Sequence, residues 1–326
     1  MKYLLFALSF VLILTGCSSK KYFEPEDTQG DLKVQTESIA YDIKSMNRVG
    51  ATLENGQVIT KDGLSKFKLP ENFDFLNVSE DGKVIATNNK DKILIGEEEL
   101  TIGDVVIAAS LKDDRLALIY SNNTIELIDM INNKTLFKEY QPISLANDTR
   151  VTNPHFMGNL ILFPTLNGKV IIVSKVSNEA VKNISVDPDG KFNNIIFLDV
   201  IQSLQTLIVA TPNKIVSISP KEILAKDYEL RDILVNKEDV FIATIDGQII
   251  KLSPYLEEVS KSKFKYSKIH SLAYTNSLYA IESQGYIINI SDDFTSKKVY
   301  DFDFDNEERL IVLGNKVYNN KIITLP

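Results

Sequence analysis

The sequence predicts an all-β protein: a β-propeller of four-stranded antiparallel sheets, with eight blades and seven as the alternative. Three observations predict it. A turn-type residue followed by a short apolar strand recurs eight times. Each copy follows a second apolar run across a Gly-, Asn- or Asp-bearing turn. A stretch ahead of the first copy is placed to complete the last sheet. Composition agrees, since 44% hydrophobic and 25% charged residues in a chain of 326 exclude wholesale disorder.

From the N-terminal end, Met1 to Gly16 reads as a secretory signal peptide. Lys2 supplies the charged start, and Tyr3 to Leu14 form a 12-residue run broken only by Ser9. As a helix this run is about 18 Å long, short of the roughly 30 Å hydrocarbon core of a bilayer. Leu14-Thr15-Gly16-Cys17 resembles the bacterial lipobox. The resemblance implies that Cys17 takes a diacylglycerol on its sulfur, becomes the first mature residue and is then N-acylated, by palmitate or a similar chain. Each buried CH₂ of such an anchor contributes about 0.8 kcal/mol. Ser18 after the cysteine implies the outer membrane of a Gram-negative cell. Cys17 is the only cysteine, so no internal disulfide or CxxC pair exists. Residues 17–33 are polar, carry Pro25 and Gly30, and read as a flexible tether with a fully extended reach of about 50 Å.

Residues 34–326 are expected to form one propeller domain. The copies begin at Gly56, Asp91, Asn123, Gly168, Asn213, Gly247, Gly285 and Asn320, at spacings of 35, 32, 45, 45, 34, 38 and 35. The preceding runs include Val84 to Thr87, Leu207 to Thr211 and Val240 to Thr244. Asn55-Gly56, Asn167-Gly168 and Asp246-Gly247 between them tolerate the positive φ of type I′ hairpin turns. The near-continuous apolar runs suit strands covered on both faces. Thr135 to Tyr140 and Lys298 to Phe302 read as further strands. Several short antiparallel strands per period of 30–45 residues make a propeller, because a ring of sheets buries faces that one sheet leaves open. The last copy leaves its blade without an outer strand, and Val34 to Ile43 is placed to supply it and close the ring.

One copy resembles a known repeat. Ile125-Glu-Leu-Ile-Asp129-Met-Ile-Asn-Asn133-Lys134-Thr-Leu-Phe137 is similar to the PQQ-type propeller repeat. Asp129 and Lys134 match; Asn133 stands where that repeat has Gly, and Phe137 where it has Trp. Together with the lipobox, the repeat resembles the BamB-like family of outer-membrane scaffold lipoproteins. The resemblance implies a lipid-anchored, periplasm-facing scaffold for protein–protein interaction in outer-membrane protein assembly, monomeric apart from its partners. PQQ-dependent dehydrogenases share the repeat but hold their quinone with a Trp and a vicinal disulfide. This chain has no Trp and one Cys, so no cofactor is assigned.

The function classes narrow further on charge and motifs. Thirty-six basic residues against 44 acidic ones give a net charge of −8, which opposes a nucleic-acid groove. No catalytic or metal-binding residue is assigned, and the chain is not expected to be an enzyme. His155 and His270 lie far apart in sequence and read as structural or exposed. The run from Tyr300 to Asp305 alternates acids with aromatics and reads as an acid-faced strand with its rings packed inward. Asp187-Pro188-Asp189-Gly190 reads as a turn. Ser174, Ser219, Ser253 and Ser291 recur at one repeat position, as turn-forming hydroxyls would. The alternative to a scaffold is a propeller that binds or processes a sugar, quinone or peptide in its central channel. The two 45-residue intervals are expected to form a protein-binding rim exposing Ile143, Leu145, Val151, Phe192, Ile195 and Ile196.

Overall fold

Apolar residues fill the second and third strands of each repeat, and these strands are covered on both sides. Val84–Thr87, Thr124–Asp129 and Leu278–Glu282 are buried along their whole length. The outermost strands alternate instead, as in Ile223–Asp227, because one of their faces meets solvent. The computed structural model describes residues 21–144, 148, 150–188, 193–305 and 308–326; the expected signal peptide 1–16 and Cys17 lie outside these.

Among the described residues the strands form eight four-stranded antiparallel sheets. Blades 1 to 7 run from innermost to outermost strand over 43–68, 74–101, 106–140, 155–185, 197–227, 230–263 and 269–301. Blade 8 is composite. Its three inner strands lie within 311–324, and Gln35–Ser38 pairs antiparallel with Lys321–Thr324, Gln35 opposite Thr324. The closing strand therefore comes from the stretch the sequence marks. It is shorter than expected, since Ile43 already opens the innermost strand of blade 1.

The core consists of eight interblade layers rather than one central mass. Val58, Phe75 and Ala86 join blades 1 and 2, and Ala117, Ile125 and Phe163 join blades 3 and 4. Each other consecutive pair has its own layer. Ile43, Ile59, Leu313 and Tyr318 form the layer between blades 8 and 1 that completes the circle. Burying each such side chain contributes about 1.5–3 kcal/mol.

The hairpin turns differ from the type I′ expectation. At 244–247 the Gly247 N–H donates to the Thr244 carbonyl at 3.1 Å, and only Gly247 has a positive φ, 78°. This is a type I turn followed by a left-handed residue. The geometry turns the Gly247 carbonyl to accept the Phe264 N–H at 2.8 Å, stitching the hairpin to the crossover that leaves the blade. The four repeated serines do form turns. Ser219 Oγ accepts from the N–H groups of Lys221 and Glu222 (3.3 and 3.1 Å), and Ser174, Ser253 and Ser291 act alike.

The repeat resemblance also has a structural counterpart. Asn133 adopts the left-handed φ, 49°, that suits the glycine it replaces. Phe137 lies 6.4 Å from the Phe163 ring of blade 4, an interblade contact at the position of the repeat's Trp. The segment read as a free tether, by contrast, is docked where it is described. Phe23 is 7% exposed, and Phe264 and Tyr286 meet its ring edge-on at 6.2 and 5.4 Å. Its N–H donates to Gln284 Oε1 at 3.1 Å. Further along, Gln29 and Gly30 bond the backbone of Val299 and Asp301.

Candidate functional site: the axial cavity

The innermost strands of the blades line the axis, and a cavity of about 730 Å³ opens there. Its wall is drawn from blades 1, 5, 6, 7 and 8 and from Asp148, Arg150 and Thr152 of the crossover between blades 3 and 4. Five basic side chains (Arg48, Arg150, Arg231, Lys268 and His270) and three acids (Asp148, Asp199 and Asp232) converge on it.

Arg48 sits on the turn joining the first two strands of blade 1. Asn47 Oδ1 shapes that turn by accepting the N–H groups of Val49 and Gly50 at 2.9 and 3.1 Å. The Arg48 guanidinium crosses to blade 6, where Nη2 lies 3.1 Å from Asp232 Oδ1 and also donates to the Ile233 carbonyl. It stacks over Phe197 of blade 5 at 4.8 Å. The second Asp232 oxygen accepts the Leu272 N–H of blade 7 at 2.7 Å, so this carboxylate is fully engaged.

Arg150 makes the other ion pair. Its Nε donates to Asp148 Oδ1 at 2.8 Å and its Nη2 to Asp148 Oδ2, while Nη1 reaches the Arg231 carbonyl. Burial raises the Asp148 pKa, but the Arg150 contacts outweigh it and hold the carboxyl below its ordinary range. Asn194 fixes the Asp148 backbone through its N–H (3.3 Å) and carbonyl (3.2 Å). Arg231 and Lys268 are exposed, and among the described residues neither side chain makes a hydrogen bond or ion pair.

The histidines lie on innermost strands. Burial within the ring lowers the His270 pKa; Asp232 opposes this, while Arg150 and Arg231 add to it. Burial likewise lowers that of His155, against the pull of Asp199. Burial raises Asp199 above the ordinary aspartate range despite the Val200 N–H it accepts at 2.8 Å. His155 and Asp199 are 44 positions apart, so their proximity has no sequence signature.

The other expected sites fare unevenly. The acidic run is strand only as far as Asp301; Phe302 and Phe304 then pack on each other at 4.8 Å. Among the described residues no group of three or more acids, histidines or cysteines could hold a metal ion. Asp187 is buried, and Asp189 and Gly190 lie outside the described residues. The rim expectation needs correction. Ile143 is 85% exposed, but Ile195 and Ile196 are 1% and 0% exposed and belong to interblade layers; Leu145 and Phe192 lie outside the described residues. The two long intervals do touch, through Asn194 with Asp148 and the Thr152 N–H with the Ile195 carbonyl (3.4 Å), and Asp148, Arg150 and Thr152 of the first line the cavity.

These features define a closed eight-bladed propeller with a charged axial cavity. No family model matches the sequence. The chain is 28% identical over 353 aligned residues, 91% of its own length, to the plasminogen-binding protein PgbB of Helicobacter pylori, and 27% identical to PgbB of a second strain. It spans 64% of the length of these relatives. Among solved structures it resembles BamB from Moraxella catarrhalis, with a TM-score of 0.63 at 11% identity over 90% of this chain and 98% of that one. The C-terminal WD40 domain of Sif2 gives 0.63 at 10% identity, over 91% and 100%. The likeness to BamB expected from the sequence thus holds at the level of the fold.

Proposed function

We propose that the protein is a lipid-anchored, non-catalytic propeller that captures a protein partner at the outer membrane. The observation that carries the protein-binding reading is the relationship to plasminogen-binding PgbB, which extends over 91% of the chain rather than over one repeat. The Leu14-Thr15-Gly16-Cys17 run supports the anchor. The ion pairs Arg48–Asp232, which ties blade 1 to blade 6, and Arg150–Asp148, within one crossover, support a non-catalytic role, because they engage most of the cavity's acids in structural contacts.

Plasminogen is the first partner to test. A component of the barrel assembly machinery is the second, favoured by the fold likeness to BamB. The two partners require opposite orientations, since plasminogen is extracellular and barrel assembly takes place from the periplasm. Surface plasmon resonance with immobilised mature protein carrying Cys17→Ser, together with protease shaving of intact cells, separates them. Saturable plasminogen binding with cleavage from outside supports the first. Protection from outside, with copurification of assembly proteins, supports the second. Recovery of Cys17→Ser in membranes at the wild-type level, after a high-salt wash, would remove the anchor from both.

A further inference from the structure

We infer that the axial cavity binds an organic monoanion: a carboxylate held by Arg231, Lys268 and His270, with an apolar body lying against the wall formed by blades 1 and 8. The inference stands apart from the identity of any protein partner.

The positive side of the cavity is built by a repeated backbone device. In blades 1, 2, 3, 6 and 7 the innermost strand carries a bulge, one residue skipped in its pairing with the second strand. A bulge re-aims its extra side chain. In blades 2 and 3 the extra residue is Leu76 or Ile107, and in blade 1 it is Lys44, which is spent on Asp74 at 3.1 Å. In blades 6 and 7 it is Arg231 and His270, which both line the cavity. The Arg150 guanidinium holds the Arg231 carbonyl, fixing the backbone behind that side chain. Lys268 stands two residues before His270 on the same wall.

The charge balance selects the sign of the guest. Asp232 and Asp148 are engaged by Arg48, Arg150 and backbone N–H groups, and the side chains of Arg231 and Lys268 make no hydrogen bond or ion pair among the described residues. This positive surplus occurs in a chain of net charge −8. Asp199 lies on the same wall and disfavours a dianion such as phosphate, whereas a guanidinium pairs a single carboxylate in two parallel hydrogen bonds.

The rest of the wall selects the body of the guest. Met46 and Val49 of blade 1, 42% and 37% exposed, line the cavity, as does half-buried Val312 of blade 8; half-buried Leu234 of blade 6 adds apolar surface elsewhere on the wall. Apolar side chains around a few placed polar groups, in a volume of about 730 Å³, have the make-up of a small-molecule site. The carboxylate can belong to a free aliphatic acid or to the C-terminal end of a polypeptide with apolar last residues.

The test is calorimetric titration of the mature protein carrying Cys17→Ser. Octanoate should bind at one site with a Kd below about 1 mM, and octylamine, which has the same body and opposite charge, should give no saturable heat. The double variant Arg231→Gln, Lys268→Gln should weaken octanoate by about tenfold or more with an unchanged melting curve, since both side chains are exposed and unpaired. Equal affinity for octylamine, or unchanged octanoate affinity in the double variant, overturns the inference. A peptide ending in Leu-Val-Phe, as free acid and as amide, separates the sources. Preference for the free-acid peptide assigns the site to a chain end, and binding of octanoate alone assigns it to a free acid. Binding of neither octanoate nor the free-acid peptide overturns the inference.

Discussion

Arg48 Nη2 lies 3.1 Å from Asp232 Oδ1, so the first blade grips the sixth across the axis of the ring. The two side chains retain 20% and 13% of their exposure, and Asp232 also holds the Leu272 N–H of blade 7. One carboxylate thus joins blade 1 to blades 6 and 7, which lie at the other end of the chain. Arg48→Met leaves that carboxylate short of a partner and should cost about 1–3 kcal/mol, less than a fully buried pair because the cavity admits water. Adding Asp232→Asn should cost less than the sum of the single changes. Urea unfolding of the four proteins of this cycle measures the coupling, and strict additivity would show that the contact contributes nothing.

Gly247 and Gly82 separate two costs that glycine ordinarily hides. Both have a left-handed φ, 78° and 84°. A Cβ on Gly247 would stand 2.2 Å from the Phe264 carbonyl oxygen, while one on Gly82 would meet nothing within 4 Å. Gly82→Ala should cost only the left-handed penalty, about 1 kcal/mol. Gly247→Ala should cost at least about 2 kcal/mol more, because the stitch to the crossover must open. Thermal melts of the two variants check the order, and equal shifts would contradict the steric account.

The strands buried on both faces were legible because their apolar runs are long and repeat. The closing strand was legible because the last blade lacked one. Asn133 and Phe137 were legible as substitutes within a repeat whose geometry then proved intact. The cavity was not. Lys268 and His270 flank Ile269 as charged residues of a solvent-facing strand do, Arg231 and Asp232 stand side by side ahead of an apolar run, and only ring closure turns these residues inward. Ile195 and Ile196 misled for the opposite reason, as apolar residues in a long irregular interval that nonetheless passes between two blades. Phe23 was missed because a single ring in a polar segment has no periodicity to mark it.

His155 should make the protein less stable as pH falls. Burial holds its pKa below 6.5, with Asp199 and Glu80 opposing and Lys112 reinforcing the shift. Between its folded pKa and 6.5 the unfolded chain binds more protons at this position, so stability rises with pH across that window. Asp199 and Glu282 act with the opposite sign, because burial raises both and the native state holds the extra proton as pH rises above their unfolded pKa. The comparison must therefore be between proteins at each pH. His155→Gln should flatten the rise in unfolding free energy between pH 5.5 and 7 relative to wild type. An equal slope in both proteins would show that His155 titrates normally.

The N-terminal segment contains two attachments of different kinds, and truncation should resolve them. Phe23 docks in an aromatic groove built by Phe264, Tyr286 and Phe294, and its loss removes buried ring surface without touching any blade's ladder. Such a segment can detach locally while the ring stays closed. Phe23→Ala, or removal of 18–33, should therefore cost about 1–3 kcal/mol at most, and Phe23→Ala should expose residues 24–31 to rapid amide exchange. Removal of 18–41 also takes Gln35–Ser38, leaving Lys321–Thr324 as an unpaired edge beside the layer that closes the ring. That loss frees a row of backbone donors and acceptors and opens the joint on which the circle depends, so it should be several kcal/mol larger and should promote aggregation. The expected order of melting temperatures is wild type, then Phe23→Ala together with the chain lacking 18–33, then the chain lacking 18–41. If the two truncated chains melt together, the blade-8 pairing does not close the ring, and the interblade layer between blades 8 and 1 holds it alone.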